Sequence, residues 1–399
     1  MKILIISSSD SGGAGIAALR LHKALMASDV NSSMLCFNKS TNTPNVYRTR
    51  INKYPHIKFL EKFPISYKQN KYKRDHQSLL LDGEYEIWSF PEALYDISSH
   101  QLVKQADIIN IHWVGNHLNY KHFFRNVHKP IVWTLHDMNP FLGIAHYLGD
   151  RDANPQFFTL EEKVRKLKYE AISQHPNVSV VNLCHWMKDA SEKSEVFSNR
   201  RHTVIPNSID INIFKTYDSV EVRRVLNLPL DKPVLLFVSQ SVKNRRKGFD
   251  LLQDALKGLT RDCVLLVVGG VDDELRDRGN CLFVGSVNDE QRMAMLYAAA
   301  DAFILPSRED NLPNTMVESL CCGTPVISFS NGGMRDHIQT LKNGVLVQEM
   351  TAEALLEGIN LLLDNTSLFD RSKISENAHE AFLPAIQAKR YMDFFQSVL

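Results

Sequence analysis

The chain has 399 residues, 44% of them hydrophobic and 23% charged, with a formal net charge of +1. Such a length is more than one core organises, so two domains are expected, and a near-zero charge excludes a general pull toward nucleic acid or acidic membranes. The six cysteines form no C-x-x-C pair, which argues against a zinc site or disulfide frame and for buried thiols in a reducing compartment. The opening apolar run, Ile3 to Ile6, is too short for a signal peptide and reads as a strand. No run approaches the ~18 apolar residues of a membrane span, so a soluble, cytoplasmic protein is expected.

Short apolar runs alternate with helix-length amphipathic segments, a pattern that predicts an α/β fold of parallel sheets with crossover helices. Strands are expected near 2–7, 33–37, 107–111, 131–135, 178–182 and 203–205, with a first helix at 16–27. A second series falls near 233–238, 264–268, 281–284, 302–305 and 326–328. The polar, turn-rich stretch from Ile205 to Pro233 carries the boundary between the two. The tail from Thr351 reads as helical, and its last helix is expected to return to the first domain. The expected domains are therefore 1–207, joined by 385–399, and 208–384. One stretch breaks the pattern: residues 47–76 hold nine Lys/Arg against two acids, interleaved with aromatics. A solvated insertion is the simpler reading, and a contact with an anionic lipid surface is the sharper one.

Four loops combine residues that can do chemistry with a position at the carboxyl end of an expected strand, where open α/β sheets hold ligands. Ser11-Gly12-Gly13-Ala14-Gly15 stands between the first strand and helix, where glycines admit a ligand to the backbone and helix-start N–H groups suit an anion. Gly13 to Ala18 also fits a dinucleotide fingerprint, but the second strand ends without the acid that would hold a ribose, which weakens an oxidoreductase reading. Leu135-His136-Asp137 follows another strand; His136 can hydrogen-bond a sugar or polarise a reacting centre, with Asp137 near enough to orient it. His112 holds the equivalent place after 107–111. Lys243-Asn244-Arg245-Arg246-Lys247 gathers four cations, a set that suits phosphate. Pro306 to Glu318 carries Glu309 and Asp310 in a turn, Pro313 at a helix start and Glu318 on that helix. Asn331-Gly332-Gly333 follows the next strand as a backbone cradle or a turn.

Taken together, Gly12-Gly13, Leu135-His136-Asp137, Ile205-Pro206-Asn207-Ser208-Ile209-Asp210, Lys247-Gly248 and the acid-x7-Glu motif closed by Glu318 resemble the family 4 glycosyltransferases, in order and over nearly the whole chain. The resemblance is greatest to bacterial members that build surface polysaccharides. It implies the GT-B fold: two Rossmann-like domains with parallel sheets facing across a cleft, the first binding the acceptor and the second the donor. It implies a retaining transferase that moves a sugar from a nucleotide-diphosphate sugar to a saccharide or lipid-linked saccharide, with no cofactor and no divalent metal. Glu318 would hold the ribose hydroxyls and Asp310 those of the donor sugar, in a donor site that also takes in Asn311 and Leu312. Lys247, with Arg245 or Arg246, would neutralise the diphosphate; Gly13 would give the phosphates room; His136 would contact the sugar near its anomeric carbon. His112 and Asp137 would lie on the acceptor side, so His136, Asp310 and Lys247 form the expected catalytic set. The first acid of the motif is Asp310 where the family usually has Glu, which leaves Glu309 as its alternative. Ser241 stands where the family often has its phosphate arginine. A GT-B sugar-nucleotide epimerase and a non-catalytic GT-B binding subunit are the other readings of the same residues, and peripheral membrane contact through 47–76 is the added expectation.

Overall fold

A computed structural model of the chain describes residues 1–49, 82–93, 96–270 and 281–399. All but the first three residues of the basic, aromatic stretch 47–76 lie outside that set. The described residues divide into two compact units, Met1–Ile205 with Ala388–Leu399, and Pro206–Gln387.

In the first unit the apolar runs pair as parallel strands: β1 (Lys2–Ser9), β2 (Asn31–Asn38), β3 (Val46–Arg48), β4 (Ile108–Ile111), β5 (Ile131–Leu135), β6 (Val178–Asn182) and β7 (Arg201–Val204). Their order is β3-β2-β1-β4-β5-β6-β7. Every residue of β4, β5 and β6 is buried, because a parallel sheet is covered on both faces and selects continuous apolar runs. The order reverses between β1 and β4, so the loops after β1, β4 and β5 gather at the switch point. The last helix, Pro384–Val398, belongs here because it lays Ala388, Tyr391, Phe394 and Phe395 into a core with Ile3, Ile5, Leu21 and Leu25.

The second unit repeats the plan with β8 (Val234–Ser241), β9 (Val264–Gly270), β10 (Cys281–Gly285), β11 (Ala302–Leu305), β12 (Val326–Phe329) and β13 (Gly344–Val347), ordered β10-β9-β8-β11-β12-β13. Its reversal falls between β8 and β11. The loops after β8, β11 and β12 hold the second, basic and acidic group of residues singled out in the sequence. Two strands, β3 and β13, were not expected from the sequence. The first has three residues, two of them exposed, and offers no apolar run; the second is the short apolar run Val345-Leu346-Val347 opening on Gly344, which the sequence reading passed over. Among the described residues no helix is long and apolar enough to cross a membrane.

Candidate functional site

The loop after β1 enters the helix Gly12–Ala27 directly. A side chain at Gly13 would meet nothing within 4 Å, so its backbone faces open space. Beneath it Asp10 is buried, and its carboxylate accepts from the backbone N–H and hydroxyl of both Ser40 and Thr41 at 2.7–2.8 Å. Burial alone would raise the Asp10 pKa, but these four bonds hold it below the usual carboxylate range. Asp10 therefore ties the loop after β2 to the loop after β1.

Two histidines follow neighbouring strands and meet. His112 Nδ1 lies 2.8 Å from His136 Nε2, and their rings are tilted at 32° with centroids 5.0 Å apart. His112 is buried, while His136 is half-buried. Burial lowers both pKa values, that of His136 to about 4 although the nearby Asp137 charge pulls it up. Behind them Asn110 Oδ1 stands 2.9 Å from His112 Nε2, and Asn110 Nδ2 donates to the Val132 carbonyl and to Thr134 Oγ1.

The hydrogen-bond partner of His136 is thus His112, where the sequence suggested Asp137. The Asp137 carboxylate is occupied elsewhere: His146 Nδ1 lies 2.6 Å from its Oδ2, Trp113 Nε1 donates to the same oxygen at 2.7 Å, and Asn139 N–H donates to Oδ1. Burial would raise its pKa, yet the His146 charge and these bonds hold it low. His146 Nε2 in turn meets Ser89 Oγ at 2.8 Å. The atoms match a Ser-His-Asp triad, but Ser89 is fully buried, so the trio braces the loop and offers no nucleophile. Sequence reading missed Trp113, His146 and Ser89. A void of about 10 Å³ beside these residues has room for about one water.

In the second unit the loop after β8 meets the loop after β11. Lys247 Nζ donates to Asp310 Oδ2 at 2.5 Å, and Arg246 Nη1 lies 3.4 Å from the same oxygen while donating to the Glu309 carbonyl at 2.9 Å. Asp310 is buried; desolvation would raise its pKa, but the two cations hold it down and the group is a carboxylate. Arg308, missed from sequence, clamps the two loops by a bidentate bond to Asp250 and a bond to the Arg245 carbonyl. Arg245 itself is exposed and joins the cluster through its backbone.

Two glycines permit this approach. Gly248 has φ +71°, and a Cβ there would lie 1.9 Å from the Pro306 carbonyl oxygen. Gly332, after β12, has φ +51°, and a Cβ there would lie 1.8 Å from the Asp310 carbonyl oxygen. Asn331 Nδ2 completes the cradle by donating to the carbonyls of Ser307 and Arg308. Asn311 and Leu312 are buried at the turn, and Pro313 caps the helix Asn314–Cys321, where Glu318 sits half-buried. Tyr297, on the helix Glu290–Ala299, donates its hydroxyl to Glu318 Oε2 at 3.2 Å. Lys247, Arg246 and Asp310 therefore touch, while Glu309 contributes its carbonyl and Glu318 stands one helix turn past the shared loop. A larger cavity of about 480 Å³ lies along the helix Arg371–Phe382 and includes none of these residues.

Comparison with known proteins bears on this arrangement. Residues 218–381 match the family "Glycosyl transferases group 1". A D-inositol 3-phosphate glycosyltransferase of Xylanimonas cellulosilytica is 24% identical over 362 residues, 85% of this chain and 80% of that one. The putative teichuronic acid biosynthesis glycosyltransferase TuaC of Bacillus subtilis is 28% identical over 184 residues, and the match spans 45% of each chain. Among solved structures, Anabaena HepE in complex with UDP-glucose superposes over the full length of both chains with a TM-score of 0.67 and 17% identity. Two parallel sheets on this plan are the GT-B fold. With the family match and the named relatives, they define the chain as an enzyme of the glycosyltransferase class.

Proposed function

We propose that this glycosyltransferase moves a sugar from a nucleotide-diphosphate sugar to a saccharide or lipid-linked saccharide, with retention of configuration, as a family 4 enzyme of surface-polysaccharide synthesis. The observation that carries the reading is the contact of Arg246 and Lys247 with Asp310 in loops that end beside Glu318. Cations at strand ends suit a diphosphate, and a carboxylate on the adjoining helix suits ribose hydroxyls. The complex of HepE with UDP-glucose and the teichuronic acid role of TuaC support the same donor class and the same biosynthetic setting.

In this reading Asp310 takes the donor-sugar hydroxyls, because its buried carboxylate faces the two cations. Arg246 accompanies Lys247 at the diphosphate, since its guanidinium already lies in that cluster. Gly13 gives a phosphate room at the start of the first helix, and His136 contacts the sugar near its anomeric carbon, with His112 bonded to it and His112 and Asp137 assigned to the acceptor. Catalysis is then positioning plus stabilisation of charge on the departing phosphate, for which Lys247 and Arg246 serve without a divalent metal. The protein works in the cytoplasm or on the inner face of the membrane, with residues 47–76 as the membrane contact.

The test is a panel of UDP-, GDP- and ADP-sugars, followed by thermal shift and saturation-transfer NMR. One donor class should stabilise the protein, and Glu318→Ala should weaken that donor about 10-fold or more, as loss of a charged hydrogen bond does. Silence across the whole panel would overturn the reading. Conversion of the donor to an isomer without an acceptor would point to an epimerase instead.

A further inference from the structure

The hydrogen bonds behind His136 fix where its proton sits. The Val132 carbonyl can only accept, so the Asn110 group 2.9 Å from it is the amide NH2, and Asn110 Oδ1 must face His112. That oxygen also only accepts, so His112 Nε2 carries the proton at 2.9 Å. His112 is buried and neutral, which leaves its Nδ1 a bare lone pair. The group facing that lone pair at 2.8 Å is His136 Nε2, which must therefore donate. A neutral His136 with its proton on Nε2 has an unprotonated Nδ1, for which no described residue supplies a partner, on a ring that is half-buried.

We propose that His112, backed by Asn110, is a positioning residue that locks His136 in its Nε2–H tautomer, so that Nδ1 is presented as an acceptor for a sugar hydroxyl. The inference rests on the transferase reading above for its ligand, and on hydrogen-bond chemistry alone for its tautomer. Thr134 Oγ1 extends the chain from Asn110 Nδ2 to the buried Tyr391 hydroxyl at 3.0 Å, so the relay ends in the core. A histidine held this way selects a ligand with an O–H at that point. It leaves a buried-edge acceptor unsatisfied when the hydroxyl is replaced by hydrogen or fluorine.

The experiment uses the full chain labelled with 15N-histidine, with long-range proton–nitrogen correlation spectra assigned through His136→Ala and His112→Asn. In the free protein His136 should show a pyrrole-type Nε2 and a pyridine-type Nδ1, and His112 the same pair. A pyrrole-type Nδ1 on His136 overturns the relay whatever the enzyme transfers. His112→Asn puts an amide Oδ1 where Nδ1 stood, keeps an acceptor opposite His136, and should hold the tautomer and kcat within about threefold. His112→Leu removes the acceptor; His136 should then populate both tautomers and kcat fall about 100-fold with donor KM little changed, as misplacement at a reacting centre does. Unchanged turnover in a folded His112→Leu protein overturns the positioning role. Should that variant not fold, deoxy and fluoro donor analogues on the wild type decide: equal kcat/KM for analogue and parent at every hydroxyl rejects the acceptor. Wild-type protein that transfers from no donor in the panel defeats the transferase reading, and the tautomer result still stands or falls by the spectra.

Discussion

At the scale of single residues, Asp310 is the informative group. It is a buried carboxylate whose neighbours, Lys247 and Arg246, are the cations assigned to the donor diphosphate. In the free enzyme one of the two positive charges is thus offset from within, and an incoming diphosphate shares its cations with Asp310. Asp310→Asn removes that competitor while keeping a similar shape. Nucleoside diphosphate alone should then bind about tenfold more tightly, ~1.4 kcal/mol, since one like charge near the phosphates is gone. Transfer from the intact nucleotide sugar should fall in the same variant, because the acceptor for its hydroxyls is weakened. Calorimetry of the diphosphate separates the two effects; equal or weaker binding by the variant would show that Asp310 does not compete with phosphate.

At the scale of elements, the helix Phe158–Ser173 shows how a segment with no ligand chemistry builds a site. Its buried face is Glu161, Val164, Lys168, Ala171 and Ile172, a helical stripe with two charges in it. Glu161 accepts from the N–H groups of Ile144 and Ala145 and from the Tyr85 hydroxyl. Lys168 donates to the carbonyls of Asn139 and Gly143 and to Asn139 Oδ1. Three acceptors suit an ammonium, although burial pulls the Lys168 pKa down to about 7. The helix therefore pins both ends of the loop that follows His136 and Asp137. Lys168→Met leaves two buried carbonyls unpaired and should cost about 3 kcal/mol of stability in urea unfolding. Leu167→Met, on the exposed side of the same helix, should stay within about 0.5 kcal/mol. A Lys168→Met protein as stable as Leu167→Met would remove the pinning role. This helix also marks the limit of what the sequence made legible. The strand runs and the turns after them located the loops of both units, because a buried parallel sheet writes itself as apolar runs. His146, Trp113, Lys168 and Arg308 were missed because their partners are remote in sequence and no local pattern joins them. A lysine and a glutamate inside an apolar stripe were the one signal available, and they point to a polar anchor in the core.

At the scale of the molecule, the two units differ in how they meet acid. Burial lowers the pKa of His22, His100, His112, His117, His136, His175 and His202, and all seven lie in the first unit. A histidine kept neutral by folding contributes nothing against unfolding above its ordinary value near 6.5. Below that value the unfolded chain takes up a proton that the folded one refuses, so stability falls with pH until the folded pKa is reached. For His136, with a folded value of about 4, the loss at pH 5 is at most about 2 kcal/mol, and the other six act in the same direction. The second unit's depressed groups include the carboxylates Asp250 and Asp310, whose contribution is present above about pH 4 and lost only below it. Acidification from pH 7 to 5 should therefore weaken the first unit and spare the second. All four tryptophans, Trp88, Trp113, Trp133 and Trp186, belong to the first unit, so their fluorescence follows it alone while far-ultraviolet circular dichroism follows both. Urea unfolding at the two pH values should show the fluorescence midpoint falling and the circular-dichroism curve splitting into an early and a late step. A fluorescence midpoint that holds between pH 7 and 5 would mean that the buried histidines take up protons without unfolding, and that the relay through His112 and His136 is softer than its hydrogen bonds imply.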